Sequence, residues 1–415
     1  MTDASLRDDG EATALFEPLM VADDSRHRPA LNDLALSLAE KSVGFRRSMP
    51  PSIAAALAEL VRSMNCYYSN LIEGHSTHPI DIEKALSNDY SAEPAKRTLQ
   101  LEATAHIAVQ RWIDGGGLPG RPTDPAVLCE IHRRFCALLP PELLLVEDPQ
   151  SRQKTEVVPG AYRVRDVKVG RHVAVSPGAV PRFMVRFDQG YRNLGRIESV
   201  LAAACAHHRL LWIHPFTDGN GRVARLMSNA MLLQALDAGG LWSVSRGLAR
   251  EEAAYKGHLA ACDLRRRNDL DGRGTLSEEE LASFTRFFLE ICIDQIAFME
   301  DLMRPDRLTD RILLWTEEEI RGGRLPRGSD GVMKATLFQG SLDRGAVPSL
   351  LGLSERAARR ITASLIETGA IRSDSTRSPL LLAFPARFAD RWMPGLFPGK
   401  RGQIAAAYRS HREQP

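Results

Sequence analysis

HPFTDGNGRVAR, from His214 to Arg225, is the stretch of this 415-residue chain on which the reading turns. It stands between two apolar runs, RIESVLAAACAHHRLLWI before it and RVARLMSNAMLLQAL overlapping its end, so the pattern predicts helix, compact loop, helix. Gly219, Asn220 and Gly221 supply the backbone freedom for a nest of N–H groups, and a helix N-terminus adds a field that favours anions. Arg222 and Arg225 lie three apart, so both guanidinium groups can point the same way. Such an arrangement suits several phosphates together. Asp218 adds a hard oxygen ligand of the kind that holds the Mg²⁺ accompanying a nucleoside triphosphate. His214 stands at the loop's other edge, where a neutral imidazole can take a proton from an attacking hydroxyl. Glycine, Asp and Asn in such loops are usually structural. Nothing structural, however, requires a base, an acid, a nest and two aligned arginines in one short segment.

Working outward, the chain reads as overwhelmingly helical. LNDLALSLAEKSVGF begins the pattern at Leu31, and PSIAAALAELVRSMNCYYSNLIEG follows, with Pro51 placed as a first helical residue and Gly74 as a stop. PIDIEKALS, LQLEATAHIAVQRWID and DPAVLCEIHRRFCALLP continue it, the last two joined by a Gly/Pro loop. The period changes between about 157 and 187, where Val alternates with Arg, Lys or His around Gly170 as in a hairpin. This is the one strand pair the pattern predicts in the first 300 residues. Past a boundary at Arg304 to Asp310, two short helices about a Leu-Gly-Leu turn and then extended segments suggest a small winged helix-turn-helix module.

Lys plus Arg (54) nearly balance Asp plus Glu (52), and 44% of residues are apolar. That composition belongs to a folded globular chain, and a net charge of +2 gives no reason to expect wholesale phosphate-backbone binding. The longest apolar stretches are broken by charged or His residues well before about 18 residues, so no membrane partner is expected. The acidic start is unlike a secretory leader, and the scattered Cys66, Cys129, Cys136, Cys205, Cys262 and Cys292 form no CxxC pair. A cytoplasmic protein with reduced thiols is the expectation.

The motif resembles the defining signature of Fic (filamentation induced by cAMP) domain proteins, HxFx[D/E]GN[G/K]RxxR, at every fixed position. The resemblance extends over roughly residues 40 to 390. It implies a mainly α protein: a Fic-type helical domain with a β-hairpin flap, plus the small C-terminal winged helix-turn-helix domain. It also implies Mg²⁺-dependent AMPylation, the transfer of AMP from ATP to a Ser, Thr or Tyr hydroxyl of a target protein. By the resemblance His214 is the general base, Asp218 the metal ligand and Phe216 the buried anchor of the loop. Asn220 would hold the α-phosphate with the amides of Gly219 and Gly221, and Arg222 and Arg225 the β- and γ-phosphates. The family's flap, matched here by residues 162–185, would bind the target as an added strand.

Upstream, SNLIEG from Ser69 to Gly74 matches the family's inhibitory pattern [S/T]xxxE[G/N]. In that group a glutamate, here Glu73, pairs with the second arginine, here Arg225, and denies the guanidinium fork to the γ-phosphate. The expected organisation is a mobile arm over 1–30, a helical region with the inhibitory helix over 31–120, the catalytic core with flap over 121–303, the winged helix over 304–395 and a polar tail over 396–415. Removal of AMP on the same fold, or a DNA-binding regulator whose Fic domain senses a nucleotide, are the alternatives. A homodimer, and DNA contact through Arg356, Arg359 and Arg360 of the C-terminal module, stay open.

Other features carry less. Asp269 to Glu280 imitates a calcium loop but places Arg273 where an oxygen is needed, so a structural turn is expected. His106, His132, His207 and His208 read as core hydrogen-bonding groups. Tyr191 and Asn193 are placed to line the nucleotide cleft, and Tyr255 is the tyrosine named for the adenine.

Overall fold

The structure is a computed structural model describing residues 6–147, 152, 154–236 and 238–398. The chain divides into two compact units, Met1–Gly44 with Asn65–Ile296, and Phe45–Met64 with Ala297–Pro415. In order come α1 (Arg28–Arg47), α2 (Pro51–Ile72), α3 (Pro79–Leu86), α4 (Pro94–Asp114) and α5 (Pro125–Ala137). Strands β1 (Leu145–Glu147), β2 (Lys154–Glu156), β3 (Lys168–Val169) and β4 (His172–Val173) follow. Then come α6 (Val180–Tyr191), α7 (Arg196–Ile213), α8 (Asn220–Leu236), α9 (Val244–Arg250), α10 (Glu252–Cys262) and α11 (Glu278–Leu302). The helices α12 (Pro305–Arg321), α13 (Ser329–Gln339), α14 (Val347–Leu351) and α15 (Glu355–Glu367) precede β5 (Ile371–Arg372), β6 (Leu381–Leu382) and α16 (Ala389–Trp392). Proline opens α2, α3, α4, α5 and α12 because its missing N–H is one a helix start leaves unused.

In the first unit α7 is the central rod. Ala202, Ala203, Ala204, Cys205 and Ala206 are all fully buried, and such small side chains let α8 lie close along it. Its buried residues run through every position from Val200 to Leu210, so the helix is enclosed on all sides there, and α6 also packs against it. The loop between α7 and α8 is the motif.

Several expectations need correction here. The segment expected to be a mobile arm over 1–30 is, in its described part, packed. Phe16 is fully buried with its ring 5.2 Å from Phe183 and 5.7 Å from Trp212. Tyr191 donates its hydroxyl hydrogen to Leu19 O at 2.7 Å, and Arg209 Nε donates to Pro18 O at 2.9 Å. Tyr191 is therefore held in this packing at 4% exposure and does not line a cleft. The apolar Phe16, Leu19 and Val21 are too widely spaced to show a period, which is why the pattern missed them.

The region 31–120 is not one piece either, because 45–64 groups with the C-terminal residues. The hairpin is shorter than 162–185. Lys168 faces Val173 and Val169 faces His172 about Gly170 (φ 61), and a helix already begins at Val180. A second hairpin, β1 with β2, lies outside the predicted pair. The calcium-like segment is a turn, as expected. Asp271, 3% exposed, accepts from Arg267 N, Ser277 Oγ and Glu279 N, and those donors outweigh burial to lower its pKa.

The second unit packs α12, α13, α15 and α16 around Ile312, Trp315, Val332, Ile361, Leu365 and Trp392. Trp315 and Trp392 meet edge to face at 5.1 Å. The hairpin β5–β6 is extended by a bridge between Leu342 and Leu380.

Candidate active site

His214 ends α7 in the left-handed region, at φ 52 and ψ 60, which turns the chain sharply into the loop. Asn220 closes that loop: Phe216 N donates to its Oδ1 at 3.0 Å and its Nδ2 donates to Phe216 O at 2.8 Å. At 2% exposure, Asn220 thus spends its carbonyl and one amide hydrogen on the loop itself, and a phosphate would meet mainly the backbone amides. Phe216 is fully buried and stacks on His132, with ring centroids 4.1 Å apart and planes at 4°. His132 Nδ1 accepts from Gly160 N at 2.9 Å, and burial holds its pKa down to about 4. Gly219, at φ 78, adopts a conformation other residues reach only with strain.

Two carboxylates from outside the motif reach the two arginines. Arg225, 2% exposed, donates from Nε to Ser69 Oγ at 2.8 Å and from Nη2 to Ser69 O at 3.1 Å and to Glu73 Oε1. The Glu73 carboxylate lies directly over Gly221, where an added Cβ would collide with it. Burial alone would raise the Glu73 pKa, but Arg225, helped by Arg222 and His75, lowers it. Its side chain keeps 33% exposure. Arg222 pairs with Glu102, the two side chains 6% and 8% exposed, and lies over the Phe135 ring at 5.2 Å. His75 Nδ1 contacts Glu102 Oε2 at 2.7 Å, and that hydrogen bond raises the His75 pKa.

His214 is half-buried, and its Nδ1 lies 3.4 Å from Leu211 O. A hydrogen on Nδ1 would leave Nε2 as the basic nitrogen. Burial, with Arg163 and His172 in the same direction, pushes its pKa down to about 4, so the imidazole is neutral at neutral pH. Asp218 is exposed at the tip of the loop. Among the described residues no three His, Cys, Asp or Glu side chains gather as a metal cage. An exposed carboxylate of this kind can add one oxygen ligand to an ion that arrives with phosphates, as Mg²⁺ does.

The fold brings Ser69, Glu73, Gly221 and Arg225 together and sets His214 and Asp218 at the two edges of the loop. It does not bring Tyr255 to an open cleft. That side chain is 2% exposed with its hydroxyl 2.7 Å from His207 Nε2, and His207 Nδ1 is 2.9 Å from Ser228 Oγ. Burial raises the Tyr255 pKa to about 12. Glu102, His75, Arg163 and His172 were missed. For Glu102 a signal existed: Glu102, His106 and Gln110 recur at four-residue spacing in α4 and are all buried. An acid on a buried stripe needs a partner.

Residues 122–232 match the family described as the Fic/DOC family. Over 111 residues the chain is 37% identical to "Protein adenylyltransferase Fic" of Culex quinquefasciatus, covering 26% of this chain and 19% of that protein. It is 27% identical over 225 residues to the protein of the same name from Nematostella vectensis, covering 52% and 49%. A Fic family protein from Desulfovibrio desulfuricans superposes with a TM-score of 0.49 at 17% identity, over 86% of this chain and 96% of that one. The family match is confined to the motif-bearing stretch of the chain, residues 122–232. It spans from about a fifth to half the length of these two curated relatives.

Proposed function

We propose that the protein is an autoinhibited protein adenylyltransferase. The observation that carries the reading is the Glu73 carboxylate seated over Gly221 on the Arg225 guanidinium, where a phosphate of the donor would bind. The relatives' shared name supplies the reaction class. In the proposed step the target hydroxyl oxygen attacks the α-phosphorus of ATP. The new O–P bond forms as the bond to the pyrophosphate oxygen breaks, and the hydroxyl proton passes to His214 Nε2. Loop amides at the start of α8, with Arg225 and the remaining donors of Arg222, hold the phosphates. Asp218 would hold the Mg²⁺ that neutralises charge on the nucleotide. The flap around β3 and β4, with Val169 and Val173 47% and 67% exposed, offers an edge to a target strand. Tyr255 is assigned no adenine contact.

The test is incubation of the full chain with labelled ATP, Mg²⁺ and a cell lysate. Glu73→Gly should label targets or itself more than the parent does, and Glu73→Gly with His214→Ala should label nothing. Equal, absent labelling in all variants would favour a nucleotide-sensing regulator.

For the second unit we propose a winged helix. Support comes from α14 and α15 about Gly352, followed by the β5–β6 hairpin. Arg356, Arg359 and Arg360 are exposed on α15, Arg359 already pairing with Glu355 at 2.8 Å. A gel shift of the full chain over a range of salt tests DNA contact, which should weaken steeply as salt rises.

A further inference from the structure

An α-helix leaves its last carbonyls without donors from its own turns. At the end of α7 the loop and flap supply them. Leu210 O accepts from His214 N at 3.0 Å, and Leu211 O faces His214 Nδ1 at 3.4 Å. Trp212 O accepts from His172 Nε2 on β4 at 2.7 Å, the imidazole lying 5.1 Å from the Trp212 ring. Ile213 O and His214 O accept from Arg163 Nη2 at 3.4 Å and Nε at 2.8 Å. Pro215 O accepts from Arg163 N at 2.9 Å. The same guanidinium also donates to Arg165 O at 2.8 Å and to Val175 O, the two sides of the flap's base.

Arg163 is 1% exposed, and its side-chain donors go to carbonyl oxygens at the end of α7 and on both sides of the flap's base. A cation is favoured at a helix C-terminus. A planar fork reaches carbonyls on both sides in a way a single ammonium does not. The left-handed backbone of His214 is strained for a residue with a side chain and persists only where its surroundings over-determine it. The bonds from Arg163 to His214 O and Pro215 O do so.

We propose that Arg163, assisted by His172, is a positioning residue that ties the base of the flap to His214, so that seating a target strand and aiming the imidazole are one event. This rests on the adenylyl-transfer reading of the same site. The phosphate donors lie elsewhere, on α8, so ATP binding should not share the dependence.

The experiment is single-turnover auto-adenylylation of the full chain in the Glu73→Gly background, with rate read against ATP concentration. Arg163→Lys should lower the rate at saturating ATP by about tenfold to a hundredfold. The half-saturating ATP concentration should stay within about twofold. His172→Phe, which keeps a ring on Trp212, should lower the rate several-fold with the same split. If His214→Ala still transfers, the functional reading fails. If His214→Ala is dead while both other variants run at the parent rate, the positioning role is overturned. It is equally overturned if rate, ATP dependence and melting temperature collapse together in both. Should the background transfer nothing, the ¹⁵N imidazole resonances of His214 decide: one fixed tautomer in the parent and an averaged one in Arg163→Lys is expected, and no change overturns the proposal.

Discussion

Gly221→Ala offers a test of autoinhibition that leaves both Glu73 and Arg225 intact. Gly221 lies in the first turn of α8 with an ordinary helical backbone, so alanine brings no backbone strain and some gain in helix propensity. Its Cβ, however, would sit well inside 3.0 Å of Glu73 Oε1 and 3.1 Å from Arg225 Nη1. The carboxylate has to retreat by roughly 1 Å to recover contact distance. It has somewhere to go, because a third of the Glu73 side chain is exposed, whereas Arg225 is enclosed and held by Ser69. Losing a charge-assisted hydrogen bond is worth about 1.5–3 kcal/mol, which predicts about tenfold to a hundredfold activation. The assay is auto-adenylylation with labelled ATP and Mg²⁺, alongside Glu73→Gly and the double variant. The two changes remove one obstacle, so they should not add. If Gly221→Ala lowers the rate while Glu73→Gly raises it, the methyl is blocking the nucleotide and not the carboxylate, and the argument fails.

Three predictions concern stability. Burial pushes the pKa of His106 and His207 down to about 3 and that of His132, His208 and His214 down to about 4. Unfolded histidines near 6.5 bind protons that these cannot, so stability is full above about pH 6.5 and falls as pH drops below it, each group costing about 2 kcal/mol by pH 5. Circular dichroism should therefore register a melting temperature that falls as pH drops from about 7 to about 5; a melting temperature that holds over that range would contradict the burial. His106, whose ring nitrogens have no hydrogen-bond partner, should be replaceable by Leu with a larger gain in melting temperature at pH 5.5 than at pH 8. Separately, a Cβ on Gly274 would overlap the backbone of Glu17 and Pro18, which cannot swing aside. Gly274→Ala should cost about 1–3 kcal/mol and speed proteolysis of the N-terminal segment; an unchanged cleavage rate would mean that segment is not packed as described.

What lay in the sequence by itself was the chemistry carried by contiguous residues. A histidine, an aspartate, two glycines and two arginines sit within twelve positions, and helix geometry over so short a span leaves little freedom in how they face. Helix content was legible for the same reason, since periodicity and proline starts are local signals. SNLIEG was legible as a motif, but its partner was known only by resemblance. Tertiary structure decided everything that joins distant residues. It paired Glu73 with Arg225 and Glu102 with Arg222, and it sank Tyr255 against His207. It packed the segment around Phe16 onto the body and shortened the flap to two residues a strand. It also turned Arg163, one of many arginines in the sequence, into the cap of the helix that ends at His214. A buried charge or an open helix end demands a partner, but neither demand says which residue, dozens of positions away, will meet it; only the packing of the helices does.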